Sequence, residues 1–247
     1  MSTQHRVLLV GGTGRTGSRV LAQLLERGVP VRAIVRSASR LPEGVTSNRL
    51  LTVVEADLLS MPSEELQRRL DGWDTVISCL GHNLSVKGLF GKPRDLVTRA
   101  VSNLAHTVET MHPAEAVRFI LMNTVSVNQP AKADTRRGAG ERFFLWVLRG
   151  VLPPARDNQY AADFFAEQVG ASNPSVEWVA VRPDSLLDGD VTEYRLSDEL
   201  VSSVFKADET NMANVAHFMC ELTTNASAWQ RWKAKMPVIL NAGSAKP

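Results

Sequence analysis

Two cysteines in 247 residues, Cys79 and Cys220, are too few for a disulfide framework and stand at no metal-ligand spacing. A dominant charge is missing as well. The 28 Lys and Arg against 26 Asp and Glu leave a net charge of +2, too mild a bias for a nucleic-acid binder. No apolar run reaches the length of a membrane span, and the longest apolar-rich stretch, FFLWVLRGVL at Phe143–Leu152, is broken by Arg149. No secretory pattern precedes the first strand, and there is no linker, internal repeat, heptad or low-complexity tract. His106, His112 and His217 fall in helical patterns without a carboxylate or cysteine partner at ligand spacing, so no metal is expected. The expectation is a single unit over residues 1–247, cytoplasmic, with no nucleic acid, no transmembrane segment and no metal.

What the chain does have is rhythm. Short apolar runs at 6–10, 31–35, 50–55, 74–79, 118–123 and 177–182 read as strands, most of them continuous, as in strands covered on both faces. Helical spacing lies between them, at 17–28, 63–70, 94–111 and 160–171. A further helix is read at 210–225 and a last strand at 236–243. Strand, helix, strand in this order predicts an α/β fold of Rossmann type: a doubly wound, mostly parallel sheet flanked by helices, with a small C-terminal substrate-side region. Residues 127–157 break the rhythm. A structureless loop of that length is unexpected, so a short helix is predicted around Phe143–Arg149.

The first strand runs into VGGTGRTG, with Gly11, Gly12, Gly14 and Gly17 inside seven positions. Glycine costs conformational entropy, so this density needs a reason. A strand before and a helix after turn a weak pattern into a dinucleotide fingerprint. Glycines allow a tight turn, close approach of backbone to a pyrophosphate, and close helix–strand packing. The N–H groups and positive helix end at residues 14–17 then face the anion, and Gly11 to Gly17, with Thr13, Arg15 and Thr16 between, form the expected phosphate loop.

The end of the second strand chooses the dinucleotide. An NAD site usually offers Asp or Glu to the ribose about 20 residues past the glycines. From Arg27 to Pro42 there is no acidic residue; Arg36, Ser37 and Arg40 stand there instead. Guanidinium matches a phosphate dianion in charge and fork geometry, so NADP(H) is expected over NAD(H). Asp57 and Leu58, past the third strand, can meet the adenine; Asp57 can equally cap a short helix. Cys79, Leu80 and Gly81, past the fourth strand, can lie along the ribose, with Cys79 a buried small residue rather than a reactive thiol. His82 and Asn83 follow; they could reach a substrate, although a loop histidine is more often solvated.

The pieces VGGTGRTGSRVLAQLLERG, AIVRSASR, VEADLLS, DTVISCLG, RFILMNTVSV and VEWVAVRPDSLLDG, spread over residues 6–189, resemble the atypical short-chain dehydrogenase/reductases. The likeness is greatest to the NAD(P)H-binding branch that holds flavin and biliverdin-IX-beta reductases and NmrA-type regulators. The resemblance implies pyrophosphate on Thr13–Gly17, 2′-phosphate on Arg36, adenine on Asp57 and Leu58, and ribose on Cys79–Gly81. It further implies that Thr124, at the family's hydroxyl position ahead of Ser126, faces the nicotinamide, and that Arg182 and Pro183 line the pocket. Members with a Tyr-x-x-x-Lys pair lower the tyrosine pKa with the lysine. Here Tyr160 is followed four residues on by Phe164, with Asp163 beside it, so Tyr160 can be an ordinary helix tyrosine as readily as an acid.

Hydride transfer is the cofactor's chemistry, and a conjugated acceptor can take its proton from solvent. The expectation is therefore an NADPH-dependent oxidoreductase reducing a flavin, quinone or similar planar small molecule without a Tyr-x-x-x-Lys pair, with Thr124 and Tyr160 as catalytic candidates. The alternative is a non-catalytic NADP(H)-binding redox sensor, regulator or assembly factor. Substrate-side elements are expected at about 127–157 and 184–235. Phe143, Phe144, Trp146 and Leu148 there could form a lid over an aromatic substrate, a face for a partner or membrane surface, or plain core packing.

Overall fold

A computed structural model describes residues 5–82, 92–129 and 137–243. Strands β1 (Val7–Val10), β2 (Val31–Val35), β3 (Leu51–Glu55), β4 (Thr75–Ser78), β5 (Val117–Met122) and β6 (Val176–Pro183) fall within a residue or two of the predicted runs. Later come β7 (Ser185–Leu187), β8 (Tyr194–Ser197), β9 (Glu209–Asn211) and β10 (Val238–Asn241). The main sheet runs β3-β2-β1-β4-β5-β6-β10-β8; all neighbours are parallel except β10 and β8. The Rossmann-type, mostly parallel sheet is thus present, with β7 and β9 paired separately.

Among the described residues the α-helices are α1 (Arg15–Glu26), α2 (Ser63–Leu70), α3 (Leu96–Met111), α4 (Ala139–Val151), α5 (Pro153–Asp163), α6 (Met212–Thr224) and α7 (Ala226–Trp232). Two cores occupy the two faces of the sheet, because alternate strand residues point opposite ways. Leu8, Val10 and Val76 join Leu104, Ala161 and Phe165 on one side. Val7, Leu9 and Ile77 join Leu21, Leu24, Phe218 and Met219 on the other. That double cover is why β1 and β4 are buried at every position, β1 with four apolar residues and β4 with Val76 and Ile77 between Thr75 and Ser78.

Three expectations need correction. The short helix at 143–149 is the middle of a longer one, α4. The helix expected at 160–171 begins at Pro153, whose ring suits a first helical turn, and ends in a π-helical turn, Phe164–Val169. The short strands β7, β8 and β9 were not predicted; at three or four residues each, they leave too little period to read.

Candidate functional site

The sheet order reverses between β1 and β4, and ligands of open α/β sheets bind at the carboxyl ends beside such a switch. A cleft opens there. Gly11, Thr13, Gly14, Arg36, Arg40, Asp57, Leu58, Cys79, Leu80 and Gly81 all line it, together with Val10 and Ile34.

The glycines divide by role. Gly11 sits at φ +82, and a Cβ there would stand 2.5 Å from the main-chain carbon and oxygen of Cys79. A Cβ at Gly17 would lie 2.1 Å from the Gly11 carbonyl oxygen, so Gly11 lets the turn close on the chain after β4 and Gly17 lets α1 close on the turn. Gly81 has open space around its Cβ position, so packing does not require it. Gly14 starts α1 with no side-chain cap, and the first turn holds no acidic residue. An uncapped helix start aimed at a cleft suits an anion, so the residues present fit a dinucleotide pyrophosphate.

The other predicted residues fall in several places. Thr16 is buried, and Gly12 packs beside Leu9. Arg15 turns outward, 3.4 Å from Asp188, which Arg19 also holds. The Ser37 hydroxyl meets that of Ser39 at 3.0 Å. Asp57 does cap the 3-10 turn Leu58–Ser60, accepting from the Leu59 N–H at 3.2 Å, while lining the cleft. Cys79 is a buried thiol whose pKa burial pushes well up, so it is not a ready nucleophile. A residue that does not line the cleft but holds one of its walls is not legible in the sequence. The Glu55 carboxylate accepts from the Ala38 N–H at 2.7 Å, so β3 supplies the acid that β2 lacks and spends it holding the 36–40 turn.

The region expected to face a substrate departs further from expectation. His82 is not solvated: its side chain is 6% exposed, and its Nε2 lies 2.8 Å from Asp157 Oδ2. Asp157, buried on α5, also accepts from the Val97 and Thr98 N–H groups at 2.8 and 3.0 Å, capping α3 from another element. Burial alone would raise its pKa. The hydrogen bonds from His82, Thr98 and the α3 backbone prevail, holding the carboxyl below its usual range. Asn83 lies outside the described residues, as do residues 130–136. His106 does find a carboxylate, Glu109 at 3.0 Å one turn on, and His112 ends α3 at φ 46 rather than lying within it. Among the described residues no cluster of His, Cys, Asp and Glu could hold a metal.

Thr124 and Ser126 stand past the end of β5 in a turn, so strand alternation does not govern their direction. The Thr124 hydroxyl accepts weakly from the Ser126 N–H at 3.4 Å. Tyr160, 53% exposed, lines a second cavity with Asp57, Leu59, Arg94, Arg99 and Arg156. Gln159 faces the other way, bonding the main chain of Asn128. Arg182 is fully buried, its guanidinium donating to the carbonyls of Met236, Val127 and Asp198. It braces β6, and Pro183 accepts from the Val125 N–H beside it.

A family profile described as NAD(P)H-binding matches residues 11–226. TIC 62 of the Arabidopsis thaliana chloroplast is 30% identical over 138 residues, covering 50% of this chain and 21% of that protein. The chain spans less than half the length of the curated relatives it matches. A short-chain dehydrogenase/reductase from Veillonella parvula, solved with NADP, superposes at TM-score 0.69 with 12% identity, covering 98% of this chain and 97% of that one. ChuY, an anaerobillin reductase from Escherichia coli O157:H7, gives TM-score 0.66 and 18% identity over 98% and 99%. At those identities the structures speak to fold; the profile match, over most of the chain, speaks to kinship. With the glycine turn, the switch-point cleft and the uncapped helix start in place, the chain belongs to the NAD(P)H-binding family.

Proposed function

We propose that the protein is an NADPH-dependent reductase of a flavin, quinone or similar planar acceptor, working without a Tyr-x-x-x-Lys pair. The observation that carries this reading is one cleft wall bearing Arg36 and Arg40 next to the glycine turn, with Glu55 already engaged by the Ala38 N–H. Two guanidiniums there favour a 2′-phosphate over a bare hydroxyl. Gly11–Gly17 would hold the pyrophosphate, Asp57 and Leu58 the adenine, and Cys79–Gly81 the ribose. Thr124, with Pro183 nearby on β6, would flank the nicotinamide end.

When bound, NADPH supplies a hydride. The chain's own residues bind, orient and exclude water. No phenol needs to deliver a proton: position 164 is a buried Phe, and burial holds the neighbouring Asp163 carboxyl above its usual range. A conjugated acceptor is protonated from solvent after reduction. In a titration, Arg36→Asp is expected to weaken NADPH by about 10- to 100-fold and NADH by less than about threefold, since charge-assisted bonds to the phosphate are worth about 1.5–3 kcal/mol. Equal losses for both would sink the NADPH assignment.

A second reading, a non-catalytic NADP(H) sensor, is favoured by one observation. Tyr160 opens on a cavity away from the hydrogen bonds that Thr124 makes. NADPH oxidation across flavins, quinones and aldehydes separates the two: turnover of any planar acceptor supports the reductase, and tight binding with none supports the sensor.

A further inference from the structure

Helix α4 wears its apolar stripe on the outside. Phe143, Trp146, Val147, Gly150 and Val151 fall at i, i+3, i+4, i+7 and i+8, the spacing of one helical face. In a helix built to close a core, that face turns inward. Here Glu141 and Leu145 are the buried residues, while Phe143 is 66% exposed, Trp146 71% and Val151 61%. Phe143 and Trp146 stack on each other at 5.9 Å, and Phe144 carries the surface on to exposed Phe205, 5.2 Å between ring centroids. Scattered exposed hydrophobics need no explanation; a contiguous aromatic face does.

This face is held outward rather than frayed. Arg137 pairs with Glu141 at 3.1 Å and donates to the Val125 carbonyl. Glu141 also accepts from the Ser203 hydroxyl and the Val204 N–H, and Arg149 donates to the Ser126 carbonyl at 2.7 Å. The inner side of the helix is thus anchored at both ends to the body.

Charge identifies what meets the outer side. The one carboxylate of α4, Glu141, is buried against Arg137, leaving exposed Arg142 beside the aromatics. A second copy of this helix would bring more cation and no acid. An anionic lipid surface answers both features, since Trp and Phe settle at the headgroup level and Arg reaches lipid phosphate. We propose that α4 is a membrane-docking helix, lying flat in a bilayer surface that contains anionic lipid, with Phe143, Trp146, Val147 and Val151 entering the headgroup–acyl boundary. The proposal does not depend on the protein being a reductase.

The test uses the full chain with vesicles of phosphatidylcholine alone or mixed with phosphatidylglycerol. Trp73, Trp178, Trp229 and Trp232 are all buried, so a blue shift in tryptophan emission on adding vesicles reads Trp146. Expected are that shift, flotation with the anionic vesicles at least about tenfold stronger than with neutral ones, and weakening by added salt. Phe143→Glu and Trp146→Glu should each reduce flotation about tenfold or more, while Trp146→Phe keeps most of it and all three retain NADPH binding. The proposal is overturned if the wild-type chain binds NADPH but does not float, or if Phe143→Glu and Trp146→Glu float as the wild type does. It is also overturned if sedimentation shows a dimer that Trp146→Glu dissociates, since a second copy would then cover the face.

Discussion

Around the glycine turn, position is set by main chain: the Gly11 and Gly17 backbones lie so close to their neighbours that a methyl group has no room. Around α4 and α5 it is set by polar side chains reaching across the fold. Asp157 joins the β4 loop, α3 and α5; Arg137 and Glu141 fasten α4; Arg182 ties β6 to three carbonyls. The first region answers to sterics and can be specified by a short motif. The second answers to long-range hydrogen bonds, each of which becomes costly only when one partner is lost.

Four substitutions bear on that contrast, the largest effect first. Asp157→Ala should cost about 3–5 kcal/mol in urea denaturation, since it leaves His82 and two helix-start N–H groups unanswered. Because the folded carboxyl has its pKa depressed, its contribution is complete above the unfolded value near about pH 4 and drains away as pH falls through the folded one. In Asp157→Ala that part of the acid-side loss should vanish; an unchanged acid profile would show the network to be idle. Gly17→Ala should cost about 2–4 kcal/mol, because its Cβ meets backbone rather than a yielding side chain.

Gly81→Ala sharpens the comparison, having open space at the same Cβ test. It should leave stability within about 0.5 kcal/mol yet weaken NADPH several-fold if the ribose lies there. A stable variant with full affinity would remove Gly81 from the site. Tyr160→Phe should change least, under about threefold in turnover with a planar acceptor, far short of the 10²–10⁴-fold worth of a positioned acid. A hundredfold loss would restore Tyr160 as proton donor.

Residues in the two regions also differ in how far they could be read. The glycine turn, the missing acid between Arg27 and Pro42, and the small residues after β4 are local facts, and the structure brings most of them to one cleft. Glu55 was missed because its partner, Ala38, is 17 residues back on a different loop. Neither reading of His82, substrate contact or solvated loop histidine, anticipates its burial, because its partner lies 75 residues away on α5. Arg182 was read as pocket lining because the resemblance placed it at a strand end, while the carbonyls that bury it come from three distant segments.

The sequence by itself determined the strand–helix alternation, the parallel sheet and the place of the glycine turn. Each rests on periods and turn chemistry that act within a few residues. Tertiary structure alone decided that Asp157 would cap a helix begun 60 residues earlier, and that the apolar stripe of α4 would face out. Periodicity says which residues share a helical face; the contacts beneath α4, with Leu145 buried, Glu141 on Arg137 and Val204, and Arg149 on the Ser126 carbonyl, turn that face away from the core.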